Sequence, residues 1–130
     1  MKVKIADLID MENLMAVTPG YIYWLNRDNV YEGCNDYCAK VLGLASRGAI
    51  VGLTNADFSM VDAAIADIWN RNNLEVMESR IAKLIEEPSP SEDGQLLTVI
   101  SNKVPLFDKE KNVIGLLGIS LELAKKWLDF

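Results

Sequence analysis

Apolar residues recur at spacings of three and four at the start of the chain, at Ile5, Leu8, Met11, Leu14 and Met15, with Asp7, Asp10, Glu12 and Asn13 between them. That spacing predicts an amphipathic helix over 2–17. Thr18-Pro19-Gly20 ends it, because proline disfavours a helical residue before it and glycine frees the turn. Tyr21 to Leu25 is aromatic and β-branched, Asn26-Arg27-Asp28-Asn29 carries turn residues, and Val30 to Asn35 continues as a second strand, so a hairpin is expected. From Asp36 to Leu44 the positions Tyr37, Cys38, Val41 and Leu42 have helical spacing, with Asn35 or Asp36 as cap and a stop near Gly43.

Residues 52–58 read as a loop with one helical turn. Asp62 to about Glu78 is the longest helical pattern, built on Ile65, Ile68, Trp69, Val76 and Met77 and weakened in its middle by Asn70, Asn72 and Asn73. A strand over 81–87, a polar turn over 88–94, a long strand from Leu96 to Asp108 around Pro105 and a last strand from Val113 to Leu123 follow, with 109–112 as a charged hairpin tip. The order is helix, two strands, short helices, a longer helix and three strands. One five-stranded antiparallel sheet with helices packed on one face is the economical way to bury it, so the expected class is α+β. The expected organisation is an amphipathic helix over 1–17, one domain over 18–124 and the start of a further helix over 125–130, with no internal repeat.

Composition narrows the chemistry. At 130 residues, half of them hydrophobic, one core forms without disulfides or metals. Its 13 basic and 19 acidic residues give a net charge of -6, the wrong sign for neutralising phosphates, so no nucleic-acid partner is expected. Cys34 and Cys38, the 2 cysteines, stand without any histidine to complete a zinc set and suit reduced thiols in a cytoplasmic protein. The absence of histidine removes Ser-His and Cys-His catalysis, a phospho-accepting histidine and histidine-ligated haem. The apolar run from Val113 to Leu121 is too short for a membrane span, and no insertion is expected.

The same residues resemble a PAS domain, the sensor module of many bacterial histidine kinases and cyclic-dinucleotide enzymes. Pro19-Gly20-Tyr21-Ile22-Tyr23-Trp24 resembles the family's first strand and Asn26-Arg27-Asp28-Asn29-Val30-Tyr31 its Asp-x-x-Gly-x-Ile turn. Asn35 falls on the asparagine that closes the second strand, and Leu42-Gly43-Leu44 on the leucine-glycine after the next helix. Residues 50–58 resemble the Val-Gly-Lys-Thr-Asp-x-Asp-Phe loop, Lys103-Val104-Pro105-Leu106 the fourth strand, and 113–120 the fifth. The match spans about Thr18 to Ala124 and rests on the order of its motifs.

The resemblance implies a non-catalytic sensory input domain that binds a small ligand or partner and relays a conformational change to an output domain of the same parent chain, of histidine-kinase type. The alternative is a ligand-free dimerisation or docking module. Tyr23, Trp24, Asn35, Trp69 and Asn102 are the candidates to line a cavity between sheet and helices, and core packing explains the tryptophans equally well. Glu122 and Leu123 stand where the family's last strand passes into its output helix, with Ala124 in place of a capping threonine. Ile5, Leu8, Met11 and Met15 form a stripe that packs across the domain's own sheet, pairs with its copy in a homodimer, or does both. The cofactor is unknown: Cys38 lacks the sequence context of a flavin adduct, so a buried apolar thiol is its plain reading, and haem lacks its histidine. Asn26, Asp28 and Asn29 read as turn chemistry rather than a cation site, and Glu86-Glu87 and Glu92-Asp93 as solvated loop charges.

Overall fold

The computed structural model describes residues 4, 10–91 and 93–123. Five strands, β1 (Tyr21–Asn26), β2 (Tyr31–Cys34), β3 (Lys83–Pro90), β4 (Leu96–Phe107) and β5 (Val113–Glu122), form one sheet in the order β2-β1-β5-β4-β3. Every neighbouring pair is antiparallel. Helices α1 (Met11–Val17), α2 (Asp36–Val41) and α3 (Ala63–Ser79) and two 3-10 turns at Arg47–Ile50 and Asn55–Asp57 complete the fold. This is the α+β sheet-and-helix architecture that the order of elements predicts.

Side-chain alternation sorts the two sheet faces. Tyr21, Tyr23 and Leu25 of β1, Val99, Ser101 and Lys103 of β4, and Leu116 and Ser120 of β5 are buried on the inner face. There α3 lies against β3, β4 and β5 and buries Ile65, Ala66, Asn73, Val76 and Met77. The opposite face carries Ile119 and Leu121 of β5 and Leu84 of β3, all exposed.

Local chemistry sets the elements. The hairpin turns where Asn26 Oδ1 accepts from the backbone N–H groups of Asp28 and Val30, as turn asparagines do, and Asn29 takes a left-handed φ of 60°. Asn35 ties three segments: its Oδ1 accepts from Cys38 N in α2 and Ile22 N in β1, and its Nδ2 donates to the carbonyls of Thr18 and Gly20. Asp62 caps α3 through Ile65 N at 2.8 Å, and α3 closes on Arg80 in the left-handed region.

Four expectations change. Of the helix over 2–17 the described part is α1, which lies against α2 with Met15 buried and with Glu12 and Asp36 both paired to Arg47; Ile5 and Leu8 fall outside the described residues. The 36–44 helix stops at Val41, where the cap N–H of Leu42 bonds back to Cys38 and Lys40. β3 runs on to Pro90 through the segment read as a turn, because it is an edge strand with a single neighbour, and an edge tolerates prolines, which have no backbone N–H to donate. Glu87 is thereby an inward strand residue, 3 % exposed, and not a solvated loop charge. The expected helix start at 124–130 lies outside the described residues. No helix among the described residues is long and apolar enough to cross a membrane.

Candidate ligand cavity

Between α2, α3 and the inner sheet face lies a cavity of about 40 Å³, walled by Tyr21, Tyr23, Tyr31 and Trp69, with Cys38, Leu42 and Val99 as apolar lining. About 10–15 Å³ holds one water, so this space takes a few atoms unless a wall moves. Its polar side is an ion pair: Lys103 Nζ stands 2.7 Å from Glu87 Oε2, with the two side chains 2 % and 3 % exposed.

Each partner reaches its place by register. Lys103 projects inward from β4 beside Ser101, and Glu87 inward from β3 opposite Val99. Ions of this size are costly to bury and persist where further hydrogen bonds satisfy them. Glu87 accepts from Ser101 Oγ at 2.8 Å and from Asn72 Nδ2 at 2.9 Å, and Lys103 donates to Asn73 Oδ1 at 2.6 Å. Burial lowers the Lys103 ammonium from its ordinary value, against the pull of the Glu87 charge.

From this pair hydrogen bonds run in two directions. Along α3, Asn73 Nδ2 donates to Asn29 Oδ1 in the hairpin turn, while Asn55 donates through Nδ2 to Asn70 Oδ1 and accepts through Oδ1 from Tyr31 OH at 2.6 Å. Across the sheet, the Ser101 and Ser120 hydroxyls meet at 2.7 Å and Ser120 meets Tyr23 OH at 3.3 Å. Among the described residues no buried side-chain nitrogen or oxygen lacks a partner. Of the asparagines that weaken α3 as a helix, Asn72 and Asn73 hold the buried ions, while Asn70 accepts from Asn55.

Burial raises the phenols of Tyr21, Tyr23 and Tyr31 well above their ordinary value of 10.0, with Glu122 adding to the effect at Tyr21 and Glu87 at Tyr23. The Cys38 thiol is raised by its hydrogen bond with Cys34 and by burial, the state of an apolar core thiol rather than of a nucleophile. No group of three or more His, Cys, Asp or Glu among the described residues is placed to hold a metal ion.

Of the five residues expected at a cavity, the structure brings Tyr23 and Trp69 to it. Trp69 Nε1 donates to the Pro88 carbonyl at 2.8 Å, which fastens α3 to β3. Trp24 points to the outer face, where a Cβ on Gly33 would fall 1.9 Å from its ring. Asn102 is exposed on that same outer face, one residue out of phase with Lys103, and Asn35 is taken up by its capping bonds. The sequence pattern assigns no site role to Lys103, Ser101 or Ser120, reads Asn73 only as a weak helix position and reads Glu87 as a solvated loop charge, yet these residues form the polar network beside the cavity. Glu87 of β3 and Ser101 and Lys103 of β4 share the phase of Val99, and Ser120 of β5 pairs with Ser101, a parity that shows once β3 is known to run through Pro88, whereas Asn73 lies in α3 and carries no such signal.

Glu122, expected as a relay, closes β5 and accepts from both Tyr21 OH at 2.8 Å and Tyr37 OH at 2.9 Å. Leu123, the other relay candidate, is 44 % exposed and bonds through its N–H to the Thr98 carbonyl.

No protein-family model and no curated protein matches the sequence. Solved structures do match. The chain is similar to the PAS domain of Bordetella pertussis BvgS, with 21 % identity over 95 % of this chain and 92 % of that one at a TM-score of 0.72. It is similar to the Vibrio cholerae VqmA dimer, a LuxR-type receptor, with 19 % identity over 96 % of this chain and 53 % of that one at 0.78. It is similar also to VqmA bound to DPO, with 20 % identity over 92 % of this chain and 58 % of that one at 0.77. The chain has the PAS fold, and it spans about half the length of the VqmA chains.

Proposed function

We propose that the chain is a sensory input domain in which a small molecule enters the cavity beside Lys103 and Glu87 and shifts the contacts that hold the end of β5. One observation carries the reading: Tyr21 both walls the cavity and donates to Glu122, the last residue of β5. A ligand that displaces the Tyr21 ring pulls on the strand from which the chain continues toward its C-terminus, while Tyr37 joins α2 to the same carboxylate. The domain itself is non-catalytic, since binding and a two-state shift suffice for this role. That VqmA is seen with a ligand supports the reading by analogy of fold.

The output belongs to the parent chain. The resemblance in sequence supports an output of histidine-kinase type in a cytoplasmic protein. The likeness to VqmA, which forms a complex with ligand and DNA, supports a DNA-binding output as the other case. The net charge of -6 supports keeping nucleic acid away from this domain in either case. We place the domain in a homodimer, the state that one VqmA structure names.

The deciding experiment is mass spectrometry of the purified protein under native and then denaturing conditions. An added mass that leaves on denaturation, and that the Lys103→Met variant no longer carries, is the expected result. A bare mass, together with no change in cavity-residue signals across a fragment library, would turn the reading to its alternative of a dimerisation module. The exposed apolar outer sheet face is the observation that favours that alternative.

A further inference from the structure

The hydrogen bonds around the cavity have a fixed direction, and the direction says what a ligand must offer. Glu87 Oε1 takes the single hydroxyl proton of Ser101. Ser101 Oγ therefore accepts from Ser120, and Ser120 Oγ in turn accepts from the Tyr23 hydroxyl. Tyr23 has thus committed its proton. Tyr31 has done the same toward Asn55 Oδ1, and Tyr21 toward Glu122 Oε1. Each of the three phenols that wall the cavity donates to the protein, and each keeps only oxygen lone pairs for anything else.

The ammonium is the complementary case. Lys103 Nζ has three N–H donors, of which two are directed to Glu87 and Asn73. Among the described residues the third meets no oxygen or nitrogen acceptor, and the Tyr23 ring centroid lies 5.9 Å from Nζ. The net charge of the site is zero, because Glu87 already balances Lys103. A carboxylate ligand would lose its hydration, find its countercharge neutralised and sit within range of a second carboxylate.

We infer that the cavity selects a small neutral molecule of the carboxamide or lactam kind, whose carbonyl accepts from Lys103 and whose N–H groups donate to the tyrosine oxygens, and that it rejects the matching carboxylate. This rests on the reading of the cavity as the ligand site. It adds a charge and a donor-acceptor pattern that the fold alone does not supply.

The test uses matched pairs that differ only in this chemistry, acetamide with acetate and benzamide with benzoate, titrated into the isotope-labelled protein and followed by NMR at the amides of Val99, Ser101 and Ser120. The expected result is that the amide of each pair binds at least tenfold tighter than its carboxylate. In the Glu87→Gln variant the Lys103 charge is no longer balanced, and the preference should invert toward the carboxylate. Carboxylates that bind the unaltered protein as tightly as amides would overturn the inference and leave the ligand site standing. A preference for amides that survives Glu87→Gln unchanged would also overturn it, since charge balance would then not be the selector. If no member of either pair shifts these signals up to millimolar concentration, the reading of the cavity as a ligand site falls, and the inference with it.

Discussion

At the scale of single residues the molecule turns on two charges that water cannot reach. Removing one partner of a buried pair leaves the other uncompensated and costs about 3–5 kcal/mol, whereas removing both costs less. Glu87→Leu and Lys103→Met should each destabilise by about that amount, and the double variant by less than either single change, read as urea midpoints at constant slope. Additive losses would mean that the pair does not act as a unit. The tyrosines give a second test, in alkali. The fold raises Tyr21, Tyr23 and Tyr31 above 10.0, so their contribution to stability is complete below pH 10.0 and is lost as pH climbs past it. Lys103 is shifted the other way from 10.5, so its contribution is missing at low pH and returns as pH rises toward that value. Three groups oppose one, and the net expectation is a falling denaturation midpoint above about pH 10, with tyrosinate absorbance from these three appearing together with unfolding. Tyrosinate that forms while the circular dichroism stays native would contradict their burial. The Lys103–Glu87 pair was not legible in the sequence, because Pro88 and Pro90 made 88–94 look like a turn and left Glu87 at its margin. An edge strand tolerates both prolines, and that is a fact of sheet order which no local pattern carries.

At the scale of elements, the parts governed by local chemistry were legible and the parts governed by packing were not. The β1–β2 hairpin, the Asn35 cap and the Asp62 start of α3 each depend on a few neighbouring residues, and the sequence shows them. The facing of Trp24 and Asn102 depends on the phase of a strand against its neighbours, and an aromatic or amide side chain alone does not disclose it. The same holds for Asn70, Asn72 and Asn73, which lower helix propensity and are offset by bonds to Asn55, to Glu87, and to Lys103 and the hairpin turn respectively. Asn35 offers the clearest measurement at this level. Its side chain makes four hydrogen bonds joining β1, α2 and the 18–20 segment. Asn35→Ala should therefore cost about 3 kcal/mol, above the usual 0.5–2 for a cap alone, because two backbone carbonyls lose their donor as well. Asn35→Asp keeps the acceptor and loses the donor, and should fall between the two. Equal stability of Asn35→Ala and wild type would reduce this residue to an ordinary surface cap.

At the scale of the whole molecule, the two sheet faces differ in kind. The inner face is closed by α3 and carries the charges, while the outer face leaves Leu84, Ile119 and Leu121 at 71, 42 and 58 % exposure. Helix α1 repeats the pattern: Met15 is buried inside the chain, whereas Met11 and Val17 stand 66 and 71 % exposed. Met15 is therefore unavailable to a dimer seam, and the exposed residues of α1 are the ones to test. Changes at such exposed positions usually alter stability by no more than about 0.5 kcal/mol, so they separate association from folding. The double variant Met11→Asp, Val17→Asp should keep the circular dichroism and urea midpoint of the parent and sediment as a monomer at concentrations where the parent self-associates. If its sedimentation matches the parent, α1 carries no seam. Ile119→Asp then asks the same of the outer sheet face, and a profile unchanged by both would leave the homodimer without a surface on the described part of the chain.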